Sequence, residues 1–371
     1  MKKVISLILF IIVCLGINAG LNFIVLGATE PHRLQDYELY QNENQYDIIG
    51  LGPSDCMSHF DAPEATKMLG EKCFNYGQAG TSYTVGAVKS SFENMLSCQK
   101  PKKILFFVSH DNLYKDLDLQ ESSKTFIHAT GGMTNKIAKA KYYLDSSQED
   151  GALERLFQWK YILGDEEMPS ISEMKENVQN KLSPEYRNYD VSWRNSLQDS
   201  TIYVKDGFVA RAKSAHYDNS TEQHYTVNLE GYNQNLEIKT DEVDGHDLDK
   251  MIAICKKKGI EPIVLMGPLS PELICEEGAL YEEKSKTLAA IAKKNEVPYF
   301  DLNYIKEEYY RPTYSEWADD KHLDIDGAKR YTDALCMVLK SAFNGDDTSK
   351  YFYSNLVDML GSYDNITIVS E

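Results

Sequence analysis

The sequence predicts an α/β fold: a parallel sheet with helices on both faces, set behind an N-terminal transmembrane helix and interrupted by a long insertion. Short apolar runs alternate with longer amphipathic stretches along most of the 371 residues, the pattern of strands joined by crossover helices. Positions 4–27 hold no charged residue. Positions 115–244 lie between the apolar runs at Ile104–Ser109 and Pro262–Met266, more chain than one crossover needs.

The stretch from Val4 to Gly27 follows Met1-Lys2-Lys3 and includes Ile5-Ser6-Leu7-Ile8-Leu9-Phe10-Ile11-Ile12-Val13. As a helix it spans roughly 36 Å, enough to cross a bilayer. Lys2 and Lys3 are expected to stay cytoplasmic, which places everything after Gly27 on the extracytoplasmic side of the cell membrane. A cleaved signal peptide is the competing reading, because Ile17-Asn18-Ala19-Gly20 has small residues near a cut. The apolar stretch continues through Leu21-Asn22-Phe23-Ile24-Val25-Leu26, longer than a signal core needs, so an uncleaved single-pass anchor over residues 1–27 is favoured. Val13 is too bulky to precede a lipidated cysteine, so Cys14 does not indicate a lipoprotein.

Residues 28–45 read as a linker. The main domain, residues 46–343, carries strands at Tyr46–Leu51, Ile104–Ser109, Pro262–Met266 and Pro298–Leu302. Helices read at Ala62–Leu69, Thr84–Cys98, Asp247–Lys257, Tyr281–Asn295 and Asp326–Phe343. Gly259 ends one of them just before a strand, a common helix-to-strand connection. Within the insertion, residues 115–244, helical pieces read at Asn135–Tyr143 and Ala152–Ile162. Thr201-Ile202-Tyr203-Val204 leads through Lys205-Asp206-Gly207 to Phe208-Val209-Ala210, a hairpin pattern. The stretch His216–Lys239 is polar with few core positions. The insertion reads equally as an elaborated surface and as a lid or acceptor-binding rim. Asn344–Glu371 reads as an acidic appendage with a weak helix around Tyr351–Leu360.

Composition narrows the function. The formal charge is −18. Without Lys2 and Lys3, 37 basic residues face 57 acidic ones, a formal −20 for residues 28–371. No basic run or aromatic-basic stripe appears, which argues against nucleic-acid binding. The cysteines Cys56, Cys73, Cys98, Cys255, Cys275 and Cys336 are scattered with no C-x-x-C, so neither a zinc site nor a disulfide scaffold is indicated. The eight histidines lack H-x-H or H-x-x-x-H spacing, so no metal and no cofactor is expected. His59 and His110 fall near strand-end loops, from which they could approach a site.

Two segments far apart in the chain look like halves of one active site. Asp47-Ile48-Ile49-Gly50-Leu51-Gly52-Pro53-Ser54-Asp55 places a serine just past a buried strand. Trp317-Ala318-Asp319-Asp320-Lys321-His322-Leu323 places a carboxylate three residues before a histidine. A serine hydroxyl becomes a competent nucleophile when an imidazole takes its proton, and a carboxylate fixes that imidazole's tautomer and orientation. Ser54, His322 and Asp319 supply the three parts. Asp319 rather than Asp320 is the expected partner, because i, i+3 spacing brings side chains together on one helical turn. Either motif alone is weak, since these are ordinary turn and cap residues. Cys56 lacks the strand-end position and reads as a small buried residue.

A third segment, Cys73-Phe74-Asn75-Tyr76-Gly77-Gln78-Ala79-Gly80-Thr81-Ser82-Tyr83, has two glycines three apart. With it, the chain resembles the SGNH (GDSL-like) hydrolase superfamily, whose blocks are G-x-S, N-x-G-x-x-G, G-x-N-D and a late D-x-x-H. The first, second and fourth occur here in order. The resemblance covers residues 46–112 and 262–343 and implies a flavodoxin-like sheet, with Ser54 as nucleophile, His322 as base, Asp319 as its orienter and Gly80 as an oxyanion-hole N–H. The third block departs from the pattern: Ser109-His110-Asp111-Asn112 puts Asp111 where the family has its asparagine. An ionised carboxylate there would repel the developing oxyanion. Either Asn112 supplies the amide through a shifted loop, or the hole relies on the backbone donors of Ser54 and Gly80.

Among SGNH proteins, an outward-facing domain on one N-terminal anchor is similar to the D-alanyl transfer proteins of teichoic-acid Dlt systems. It is also similar to the SGNH-like partners of multipass membrane O-acyltransferases that modify surface polysaccharides. The early serine and late D-x-x-H favour the Dlt-like order. The resemblance implies an acyl-serine enzyme, a transferase if a sugar hydroxyl resolves the intermediate and an esterase if water does. The acidic surface points to a neutral or weakly charged cell-envelope polysaccharide receiving a small acyl group, acetyl, rather than teichoic acid. The alternative from another class is an inactive SGNH scaffold in envelope assembly or glycan binding.

Overall fold

The computed structural model describes residues 2–28, 31–81, 83, 87–114, 157–163, 168–214, 223–241, 243 and 246–369. In chain order its strands are β1 (Ile48–Gly52), β2 (Cys73–Gly77) and β3 (Lys103–Phe107), then β4 (Thr201–Tyr203), β5 (Val209–Arg211) and β6 (Tyr225–Asn228), then β7 (Glu261–Met266), β8 (Tyr299–Asp301) and β9 (Ile366–Val369). Five of them form one sheet in the order β2-β1-β3-β7-β8, with every neighbouring pair parallel. Counting only those five, the order is 2-1-3-4-5, a doubly wound arrangement with its switch point between β1 and β3. Ligands in such sheets bind beyond the carboxyl ends of the strands at that crevice. The short helices after β1 and β3, Ser54–His59 and His110–Tyr114, carry Ser54 and Asn112.

The strands read as continuous apolar runs because the sheet is buried on both faces. Ile49, Leu51, Phe74, Tyr76, Ile104, Phe106 and Val264 pack with Phe92, Met251 and Ile291 from the helices Ala87–Cys98, His246–Lys258 and Ala279–Lys294. The alternate residues Ile48, Cys73, Leu105, Phe107, Ile263 and Leu265 pack with Ala65, Tyr331 and Leu335 from Ala62–Leu69 and Ile325–Phe343. These helices fall within a few residues of their expected bounds. The expected start at Thr84 and the expected helix Asn135–Tyr143 lie outside the described residues. Of Ala152–Ile162, the described part is the helix Gln158–Leu163.

Three segments differ from expectation. The stretch 28–45 is more than a linker: it contains the helix His32–Gln41, with Leu34, Gln35, Asp36 and Leu39 buried. Gln35 Nε2 donates to the carbonyls of Asn75, Gly77 and Gly207, so a polar residue is satisfied inside the fold. The end of the chain is more than an appendage, because β9 pairs in parallel with β6 and Leu356, Met359 and Leu360 are fully buried. Within the stretch His216–Lys239, the described residues 223–239 contribute Val227 and Leu229 to the core.

The hairpin of the insertion is built into the body rather than laid over it. β4 and β5 pair antiparallel. Asp206 and Gly207 both take positive φ, 49° and 79°, and Phe208 N–H returns to the Lys205 carbonyl, the geometry of a type I′ turn. Its tip joins the edge of β2: Asn75 N–H donates to the Asp206 carbonyl at 2.9 Å. A methyl on Gly207 would lie 1.9 Å from the Asn75 carbonyl oxygen, so only glycine permits this contact.

The N-terminal helix, Lys2–Val25, exposes its apolar side chains and is long and apolar enough to cross a membrane, as a signal sequence or signal anchor would be. Lys181, from the helix Ile171–Leu182, donates to the carbonyls of Phe23 and Leu26 at its C-terminal end, where a cation offsets the exposed carbonyls. Trp159 donates to Asn18 and Asn22.

Candidate active site

β1 is fully buried and passes through Pro53 into a short helix, Ser54–His59. The sheet puts this helix at the carboxyl end of its most central crevice. What holds it there is Asn75 of β2, itself fully buried. Asn75 Nδ2 donates to the carbonyls of Cys56, Met57 and Phe60 at 2.7, 3.2 and 2.7 Å, and its Oδ1 accepts from Gly77 N–H at 2.9 Å. The helix lies so close to β2 that a methyl on Gly77 would sit 2.2 Å from Met57 N. The asparagine of the N-x-G-x-x-G block therefore clamps the serine's helix onto the sheet, a role the sequence reading did not give it.

His322 and Asp319 meet in a tight loop, not on a helical turn. Trp317 and Leu323 form an antiparallel bridge, and the His322 carbonyl accepts from Ala318 N–H at 2.8 Å. The chain between them doubles back, so Asp319 Oδ1 accepts from the N–H groups of Lys321 and His322 at 2.9 and 2.8 Å. Both Asp319 oxygens lie 2.9 Å from His322 Nδ1. Nδ1–H thus donates to the carboxylate, which leaves Nε2 as the basic nitrogen. Nε2 is buried and has no hydrogen-bond partner among the described residues. Asp320 is exposed.

His59 joins the two halves. It closes the Ser54 helix, and its Nε2 accepts from Leu323 N–H at 3.2 Å, next to His322. The two imidazoles stand 6.1 Å apart. Thr332 Oγ1 donates to the His59 carbonyl and accepts from Asp61 N–H, tying the same corner to the helix Ile325–Phe343. A methyl on Gly267, just after β7, would lie 3.2 Å from His59 Nδ1 and 3.9 Å from Asp55 Cβ. Ser54, which opens the His59 helix, is partly exposed, and no hydrogen bond joins it to His322 Nε2. The fold thereby brings Asp55 and His59, from the helix that Ser54 opens, up to Asp319 and His322. His110 has no described side chain.

The other oxyanion candidates lie beyond β2 and β3. Gly80 is exposed in a turn with φ of 68°, and the Gln78 N–H holds the start of that loop to the Gly52 carbonyl at 2.9 Å. Tyr83 N–H donates to the Asn112 carbonyl at 2.9 Å, so the segments carrying Gly80 and Asn112 are bonded to each other. Asp111 points elsewhere: it is exposed and pairs with Lys284 Nζ at 2.9 Å. It shares that lysine, on the helix Ala279–Lys294, with Glu277.

The electrostatics separate these groups. Partial burial would raise the Asp319 pKa, but the hydrogen bonds from the His322 ring and the Lys321 and His322 N–H groups outweigh it and hold the carboxyl below the usual range. Burial pushes Asp55 up, against the charges of His322 and Lys321. Burial also pushes His59 well below the ordinary imidazole value, helped by the neighbouring His322. The Cys56 thiol is raised well above its usual value by burial and by Asp55, which leaves it unreactive. No model of a known protein family matches the chain, and no curated protein matches it in sequence.

Proposed function

We propose that the protein is an exported, membrane-anchored serine enzyme of SGNH type that handles a small ester-linked acyl group, acetyl, on cell-envelope polysaccharide. One observation carries the reading most: a carboxylate-bound imidazole whose Nε2 has no partner among the described residues, locked through His59 and Leu323 to the helix that Ser54 opens. In this reading His322 Nε2 takes the Ser54 proton as Oγ attacks the acyl carbonyl. The oxyanion faces the N–H groups of Ser54 and Gly80, with the Asn112 amide as a third donor. Collapse breaks the ester bond, the leaving alkoxide takes the proton from His322, and an acyl-serine remains. A sugar hydroxyl or a water then gives its proton to His322 and attacks, which regenerates Ser54.

The exposed apolar helix, with Lys2 and Lys3 ahead of it, supports an extracytoplasmic domain held at the membrane, where a multipass O-acyltransferase would be a natural acyl source. The early serine and late D-x-x-H support D-alanylation of teichoic acid as the second reading, and Asp111 in place of an amide supports an inactive scaffold as the third. A fluorophosphonate probe tests the chemistry. Wild-type protein should label at Ser54, and Ser54→Ala should lose both labelling and hydrolysis of p-nitrophenyl acetate. Labelling of the alanine variant, or labelling that maps to Cys56, would overturn the assignment. Ester-linked acetate and ester-linked D-alanine, measured in envelope polymers after gene deletion, test the acyl group. Loss of D-alanine with acetate unchanged promotes the second reading.

A further inference from the structure

Arg211 reaches both halves of the site from the insertion. It ends β5, and its Nε donates to Ser58 Oγ at 3.3 Å. Ser58 follows Ser54 by four residues in one helix, a spacing that puts the two side chains on one face about 6 Å apart. The Arg211 backbone bridges Asp324, two residues past His322. The residue accordingly joins the two elements, its side chain on the serine's helix and its backbone beside the end of the histidine's loop. Its mounting is rigid: Phe208, Val209 and Ala210 are fully buried, and the turn behind them is bonded to β2.

Arg211 acts electrostatically on Asp55 without forming an ion pair with it. It is partly buried and forms no ion pair among the described residues, in a protein with 57 acidic residues. Lys213, two residues on, pairs with Asp326 at 2.9 Å. Of the carboxyls near Arg211, Asp55 is pushed toward its neutral form by burial, and Asp324 caps its own helix through Gly327 N–H. With Nε fixed on Ser58, the two terminal nitrogens form a fork suited to paired oxygens of a carboxylate or phosphate.

We propose that Arg211 is an anion subsite beside Ser54, so that the substrate carries a phosphate or carboxylate within about one helical turn, ~6 Å, of the reacting ester oxygen. This rests on the acyl-transfer reading and sharpens it. The overall negative surface repels polyanions at range, but that repulsion is screened over about 8 Å in physiological salt. A single fixed guanidinium acts at contact and selects one anionic group.

The test uses the full-length protein in detergent micelles, with glycerol 1-phosphate, glycerate and glycerol as probes. Calorimetry should show at least one of the anions binding about tenfold tighter than glycerol, a difference of about 1.4 kcal/mol. The two anions tell phosphate from carboxylate. Arg211→Gln should erase the preference, Arg211→Lys should retain part of it, and Lys213→Gln should keep it. With p-nitrophenyl acetate as donor, the ratio of transfer to the preferred anion over transfer to glycerol should collapse in the same order. No anion preference in the wild type, or a wild-type preference in a folded Arg211→Gln, overturns the subsite. Binding is read without turnover, so a protein that binds anions through Arg211 yet fails to label at Ser54 would refute the acyl-transfer reading and leave the subsite standing.

Discussion

His59 and His322 lie 6.1 Å apart and are built for opposite ends. His59 is fully buried, accepts a backbone N–H on Nε2 and has its pKa pushed well below the ordinary imidazole value by burial. His322 donates Nδ1–H to a carboxylate, and its Nε2 has no partner among the described residues. By sequence, His59 is the nearer to Ser54, five residues away in the same helix. Proximity in the chain is therefore a poor guide. A general base needs one nitrogen oriented by an acceptor and the other left available, and that arrangement is found 268 residues from the serine.

The sharpest way to break this comparison is to exchange the losses. His322→Gln should lower the rate of fluorophosphonate labelling by about 10³-fold or more, the scale on which triad members act. His59→Gln keeps a group able to accept the Leu323 N–H and should lower it far less. Equal losses from the two variants would show that His59 takes part in proton transfer.

The carboxylates offer the next contrast. Asp319→Asn removes the charge that fixes the His322 tautomer and should reduce turnover of p-nitrophenyl acetate by about 10²–10⁴-fold. Asp320→Asn, at an exposed neighbour, should change it by less than about threefold, since surface charges contribute little. The reverse ranking would refute the pairing seen in the loop.

Asn75 probes support of the serine rather than its chemistry. Asn75→Ala strands the carbonyls of Met57 and Phe60 without their donor and leaves that of Cys56 with the Phe60 N–H alone. With about 1–3 kcal/mol for a buried group left unsatisfied, the expected loss in unfolding free energy is about 3 kcal/mol. Denaturant titration measures it. A loss below about 1 kcal/mol would show that the helix is held by other contacts.

These cases also mark what the sequence could and could not disclose. The central strands were legible because both faces of the sheet are buried, which leaves unbroken apolar runs such as Ile104-Leu105-Phe106-Phe107. The Asp319–His322 pair was legible because it is local, although the spacing suggested a helical turn and the chain makes a loop. The helix His32–Gln41 was missed because its inward side is polar: Asp36 accepts from Tyr76 and Asn94, and Gln35 bonds three carbonyls. Arg211 and the Asn75 clamp were missed for a related reason. Each acts on backbone or hydroxyl groups that are distant in sequence or generic in type, and neither contact leaves a residue pattern.

The smallest expected effect concerns pH, and it separates the two histidines without catalysis. His59 faces His322, Asp319 and Arg211, and burial lowers its pKa in the folded protein. Once unfolded, it regains the ordinary imidazole value near 6.5. Below about pH 6.5 the unfolded chain therefore binds a proton that the native state refuses, so stability present above that pH falls as the solution is acidified. Asp319 has the same sign in a lower range: its depressed pKa adds stability above the ordinary carboxylate value near 4, lost only in stronger acid. His59→Gln has no such proton to take up. Thermal midpoints followed from pH 7.5 to 5 should fall more steeply for the wild type than for His59→Gln. Parallel profiles would mean that His59 is charged in the native protein, and the division of labour between the two imidazoles would have to be redrawn.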